Sequence, residues 1–205
     1  MLQFQAVQPK LLAGLKFLMT LPQLLNYRLV GGTALALLYG HRQSVDIDLF
    51  GSETINWESL EQELYHYSTP QFLSKSKAIC AFLLEGVKVD VVRYNYPWLR
   101  EPIADGELRL ADPVDIAAMK LNAIAGRGVK KDFIDLNLLL DHFSLQEMLG
   151  YYQKKYQQES NFMVLKSLEY FDDADPNDDP EMLSPYHWED IKKRITDEVK
   201  KLALG

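Results

Sequence analysis

Apolar and polar positions along the chain change period several times, and each change marks an element. The apolar spacing of LLAGLKFLMTL, residues 11–21, predicts a helix. Tyr27-Arg28-Leu29-Val30 reads as a short strand running into Gly31-Gly32. TALALLY, from Thr33 to Tyr39, is a compact apolar helix with Gly40 placed to end it. Val45 to Phe50 alternates as a strand does, and WESLEQELYHY, residues 57–67, reads as a surface helix. FLSKSK, AICAFLL and VKVDVVRY follow as three strands, the last two joined by a hairpin-type turn at Glu85-Gly86. Tyr96-Pro97 interrupts the pattern.

Beyond Gly106 the period becomes helical. Asp112 is placed to cap free backbone N–H groups, Pro113 suits the first helical position, and Asp115 adds negative charge in the first turn. The segments DIAAMKLNAIAG and DFIDLNLLLDHF are apolar nearly all round, as buried helices are. Ser144-Leu145-Gln146-Glu147 is a capping box that opens another helix, and residues 187–203 form a charged C-terminal one. The expected fold class is α/β (α+β), with an α/β core over residues 1–105 and a helical region packed on it over 106–205.

Composition narrows the picture. The chain has 205 residues, enough for one large domain or two small ones, with ample apolar material for a core. No apolar run approaches the roughly 20 residues that span a bilayer. The N-terminal segment, interrupted by Lys10, Lys16 and Pro22, does not read as a signal peptide. One cysteine, Cys80, excludes an internal disulfide framework and a cysteine-based zinc site, and a cytoplasmic location is the default expectation. The formal charge of -7 arises mainly from residues 171–181, FDDADPNDDPE, which hold six of the 29 acids and no base. The remainder is nearly neutral, so any nucleic-acid contact is expected to be local rather than a broad basic surface.

The candidate chemistry lies in SVDIDLF, residues 44–50. In an extended chain Asp46 and Asp48 project from one face, with Val45, Ile47 and Leu49 on the other. In VKVDVVRY, Asp90 shares a face with Lys88 and Val92, opposite Val87, Val89 and Val91. If the two strands are neighbours, the three carboxylates converge. At about 5 Å and an effective dielectric of 20, each pair repels by roughly 3 kcal/mol. Three pairs come to roughly 10 kcal/mol, comparable to the whole net stability of a domain. Protonation, separation or divalent cations must relieve that cost. Oxygen ligands without His or Cys suit Mg²⁺ or Mn²⁺. Upstream, Gly31 and Gly32 between a strand and a helix let backbone approach an anion at a helix N-terminus, and Thr33 adds a hydroxyl. Metal-bridging acids and a phosphate-cradling turn together describe a nucleoside triphosphate site.

Val30-Gly31-Gly32, a thirteen-residue spacer and then Asp46-Ile47-Asp48-Leu49 resemble the signature of the nucleotidyltransferase (polymerase beta-like) superfamily, with Asp90 in the place of its third carboxylate. Within it, GGTALALLYGHRQSVDIDLF and MKLNAIAGRGVKKDFIDL resemble the motifs of the AbiEii/AbiGii toxin family of abortive-infection and toxin–antitoxin systems. The resemblance implies a mixed-sheet nucleotidyltransferase core with flanking helices and a mostly helical C-terminal half. It implies transfer of a nucleotidyl group from an NTP, with Mg²⁺ or Mn²⁺ and release of pyrophosphate, onto an acceptor such as tRNA, and a cognate antitoxin partner. Asp46, Asp48 and Asp90 take the metal-binding and catalytic places. Gly31, Gly32 and Thr33 take the phosphate-binding ones. Lys120 and Asp135 take the places of a lysine on one helix and an aspartate on the next, with Asp132 the competing acid. The resemblance leaves room for a small-molecule or protein acceptor, or for a non-catalytic binding module of the same fold.

Plainer readings compete at several positions. An Asp-x-Asp strand can be a solvated face, and a Gly pair a mere tight turn. Lys120 in its apolar helix needs an anionic partner or must snorkel to the surface. Asp132 and Asp135 suit a helix start on dipole grounds alone. Arg42 is a candidate triphosphate ligand or an exposed loop arginine. His41 and His142 lack metal-ligand spacing and read as structural. Asp173, Asp175 and Asn177 imitate an EF-hand opening, but Asp178 stands where glycine is required and Ser184 where glutamate is. The acidic stretch therefore reads as a solvated or partner-facing segment.

Overall fold

The computed structural model describes residues 1–204, and these fall into two units: Met1–Tyr96 with Glu101–Ala111, and Pro97–Arg100 with the chain from Asp112 onward. In the first unit the helices α1 (Pro9–Thr20), α2 (Gly31–Tyr39) and α3 (Trp57–Tyr65) accompany seven strands. These are β1 (Arg28–Leu29), β2 (Asp46–Gly51), β3 (Gln71–Lys75), β4 (Ile79–Leu84), β5 (Val87–Arg93), β6 (Ile103–Asp105) and β7 (Leu108–Leu110). They form one mixed sheet of order β3-β4-β5-β2-β1-β7-β6. The pairs β2–β5 and β1–β7 are parallel and the remaining pairs antiparallel.

The alternation read from the sequence sets which face is buried. On β2 and β5, Ile47, Leu49, Val87, Val89 and Val91 enter the core together with Leu11, Leu15 and Leu18 of α1. Asp46, Asp48 and Asp90 lie on the opposite, half-buried face. The turn chemistry is also as expected. Gly40 ends α2 with φ +68°, and its N–H donates to the Ala36 carbonyl at 2.8 Å. The hairpin β6–β7 is absent from the sequence reading, because its strands have three residues each. Gly106-Glu107 is the signal that could have found it: Asp105 pairs with Leu108 around these two residues, and Gly106 has φ +58°, as a hairpin turn with glycine first requires. Arg109 on β7 donates to the carbonyls of Met19, Leu24 and Tyr27, which pins the connection between α1 and β1.

The second unit is helical: α4 (Pro113–Gly126), α5 (Lys130–Leu139), α6 (Leu145–Tyr156), α7 (Phe162–Leu168) and α8 (Trp188–Leu204). Asp112 caps α4 by accepting from the Val114 N–H at 2.9 Å, and Ser144 and Glu147 form the expected capping box of α6. Asp115 does more than favour a helix start. It is fully buried and accepts the backbone N–H groups of Leu99 and Arg100 at 2.9 and 3.0 Å. It also accepts from the Lys155 ammonium at 2.6 Å. Lys155 in turn donates to the Pro97 carbonyl and sits 4.5 Å from the Trp98 ring centre. The acidic stretch is braced rather than free. Asn177 accepts from the Lys130 N–H, Asp179 from the Lys130 ammonium, and Asp175 from the Trp188 indole and Lys192. Among the described residues no helix is long and apolar enough to cross a membrane.

Candidate active site

Two strands with period-2 burial meet in parallel, and their register decides the site. Asp48 is the direct partner of Asp90, and Asp46 of Lys88. Side chains at paired positions emerge on the same face, so the three carboxylates share one side of the sheet. Lys88 shares it with them, and its ammonium lies 2.6 Å from Asp90 Oδ2. This lysine was visible in sequence only as a residue sharing a strand face with Asp90. Its charged form is strengthened first by the hydrogen bond to Asp90, against burial, and then by the charges of Asp90, Asp46 and Asp48.

The glycine turn abuts the same strand. The Val30 N–H donates to the Asp48 carbonyl at 2.9 Å, and the Thr33 hydroxyl donates to the Asp46 carbonyl. Gly31 begins α2 with φ +68°, and a Cβ there would stand 3.1 Å from Asp48 Oδ2. The backbone is thus left-handed at the point where the carboxylate needs the room. Gly32 follows in the first turn of α2. The Thr33 side chain is buried, and its hydroxyl also bonds Ser44 Oγ at 2.8 Å. It ties the helix start to the acidic strand. Arg42 is not an exposed loop arginine. It is 4 % exposed and donates to the Gln43 carbonyl at 2.9 Å.

Lys120, Asp132 and Asp135 belong to the second unit. The Lys120 ammonium lies 2.8 Å from Asp132 Oδ1 and 2.6 Å from Asp135 Oδ2, with both acids fully buried. Arg127 adds a bond to Asp132 at 3.0 Å. Burial alone would raise the Asp132 pKa, but the charges and hydrogen bonds of Lys120 and Arg127 outweigh it and hold the carboxyl below its usual range. Both acids thus hold one lysine. The Lys120 charge is matched by these two acids within its own unit.

The acid face fits a hard divalent cation in donor chemistry. It offers carboxylate oxygens on a half-exposed surface, and a cationic group already lies against one of them. In spacing, the carboxylates as they stand do not close on one ion. Among the described residues, no three carboxylate, imidazole or thiol groups stand close enough to hold one ion.

The chain is similar to known proteins in sequence and in fold. Residues 17–97, which include Gly31, Asp46, Asp48 and Asp90, match the nucleotidyl transferase AbiEii toxin family of type IV toxin–antitoxin systems. The chain is 37% identical over 182 residues to the uncharacterized protein aq_aa25 of Aquifex aeolicus, covering 86% of this chain and 87% of that one. Two solved structures share the fold. JHP933 from Helicobacter pylori superposes with a TM-score of 0.56 at 19% identity, covering 98% of this chain and 93% of that one. A candidate nucleotidyltransferase from H. pylori gives 0.54 at 18%, covering 94% and 91%.

Proposed function

Because this chain belongs to the AbiEii nucleotidyltransferase family, we propose that its acid face carries a metal-dependent transfer of a nucleotidyl group from an NTP to an acceptor hydroxyl. The observation that carries the reading is the register of β2 on β5, which pairs Asp48 with Asp90 beside Asp46 and the Gly31 turn. Divalent ions, Mg²⁺ or Mn²⁺, would neutralise the triphosphate and lower the pKa of the attacking hydroxyl. Asp46 and Asp48 would hold ions and donor together, and Asp90 would complete the site and take the acceptor proton. Gly31 and Gly32, without side chains, let the phosphates approach the start of α2, where backbone N–H groups are unpaired within the helix. The acceptor oxygen attacks the α-phosphorus in line as the bond to the bridging oxygen breaks, and pyrophosphate leaves.

RNA such as tRNA is the acceptor we favour, and the biological role is that of a toxin checked by a cognate antitoxin. The nearly neutral body of the chain suits a local contact with one RNA end over broad polyanion binding. Incubation with each labelled NTP, Mg²⁺ and total RNA should give labelled RNA that is lost in Asp46→Ala and Asp48→Ala. Equal labelling by those variants ends the proposal.

A further inference from the structure

Six side chains of β2 and β5 alternate onto the acid face: Asp46, Asp48, Phe50, Lys88, Asp90 and Val92. Three are carboxylates and one is an ammonium. Lys88 stands directly opposite Asp46 in register, and its Nζ lies 2.6 Å from Asp90 Oδ2. Its side chain is 46 % exposed while that of Asp90 is 23 % exposed. The ammonium therefore sits against Asp90, while the side chain as a whole is about half open to solvent and can swing on its four carbons.

An oxygen that accepts an ammonium at that distance is not free to ligate Mg²⁺, which takes oxygens at about 2.0–2.1 Å. Two cations side by side on one carboxylate also repel. With Oδ2 held in this way and a positive charge against it, Asp90 binds a divalent ion weakly until the Lys88 ammonium has left it. The departing ammonium then needs another anion nearby, and the phosphates of a bound NTP would supply one. Metal binding and nucleotide binding are then coupled, each strengthening the other by the same factor.

We propose that Lys88 is a gating counter-cation: it holds Asp90 against premature metal loading and releases it when the donor's phosphates take its charge, so that divalent ion and NTP load together. The inference rests on the reading of the acid face as the metal and nucleotide site. Lys88 acts here as a positioning residue.

The test measures Mn²⁺ binding to the full chain by the electron paramagnetic resonance of free Mn²⁺, without nucleotide and with a non-hydrolysable NTP analogue. Nucleotide-free Lys88→Met should bind Mn²⁺ about tenfold more tightly than the unmodified protein, or about 1.4 kcal/mol. Lys88→Arg, which keeps the charge, should resemble the unmodified protein. The mutual strengthening of Mn²⁺ and analogue should be large in the unmodified protein and small in Lys88→Met. Adding Asp48→Asn should abolish the Mn²⁺ gain of Lys88→Met. If Lys88→Met binds Mn²⁺ no better while binding still depends on Asp48, the gate is overturned and the acid-face site stands. If no chain binds Mn²⁺ through Asp48, with or without the analogue, the site reading falls and the gate with it.

Discussion

Gly31 and Asp48 are fitted to each other: the glycine adopts φ +68°, and the space its missing Cβ would fill lies 3.1 Å from the Asp48 carboxylate oxygen. The contact joins the helix start to the acidic strand, so one methyl group tests both. Gly31→Ala is expected to cost about 1–2 kcal/mol of stability from the left-handed backbone alone. It should also push the carboxylate aside, so that nucleotidyl transfer falls further than the lost stability explains. Thermal unfolding and initial rates on the same preparation measure the two effects. Full transfer by a measurably destabilised variant would separate the turn from the chemistry.

Asp90→Asn keeps the shape of the side chain and removes its charge and basicity. Transfer should fall by about 10²-fold or more. A chelator should stop transfer by the unmodified protein, and added Mg²⁺ or Mn²⁺ should restore it. Chelator-resistant transfer would contradict the metal-dependent scheme.

In the second unit, Lys120 is shared by two buried carboxylates. Lys120→Met removes the ammonium from both and is expected to destabilise by about 3–5 kcal/mol. Arg127 reaches Asp132 from a largely exposed position, so Arg127→Ala should cost about 1 kcal/mol. Urea unfolding gives both values. Similar small costs for the two would show that the buried network contributes little.

The depressed Asp132 pKa has a definite pH signature. In the unfolded chain the group titrates near 3.9, and in the folded protein lower, so its stabilisation is present above about pH 4. It is lost as pH falls through the folded value. The stability gap between the unmodified protein and Asp132→Asn should be constant from about pH 5 to 7 and shrink below about pH 4. A gap that widened in acid would mean that the carboxylate is not held by its cationic neighbours.

Gly51 has a packing role. A Cβ there would lie 2.6 Å from the Tyr27 ring, and Tyr27 is buried with its hydroxyl on the Glu53 carbonyl at 2.8 Å. Gly51→Ala should therefore cost about 1–3 kcal/mol by overpacking. Differential scanning calorimetry would show it as a lowered melting temperature, and an unchanged one would mean that the ring yields freely.

What could be read from the chain followed local rules. Alternation put Asp46 and Asp48 on one strand face and Asp90 on its own strand's polar face. Gly40, Asp112 and the Ser144–Glu147 box marked helix ends because capping depends on neighbours a few residues away. The hairpin at Gly106-Glu107 was within reach of the same reasoning, but its strands were too short for alternation to register. The burial of Arg42 and Thr33 was out of reach for another reason. Whether a loop arginine is buried, or a hydroxyl faces inward, depends on segments that fold over it.

The sequence by itself determined the period of each element, the turns, and therefore which residues could share a face. Tertiary structure alone decided that β2 lies parallel to β5 with Asp48 opposite Asp90, that Lys88 reaches Asp90, and that Lys120 is divided between Asp132 and Asp135. Periodicity is a property of a few consecutive bonds and is written locally. Register and ion pairing join residues far apart in the chain, and they are fixed only when burial of both strands and helices selects one mutual arrangement.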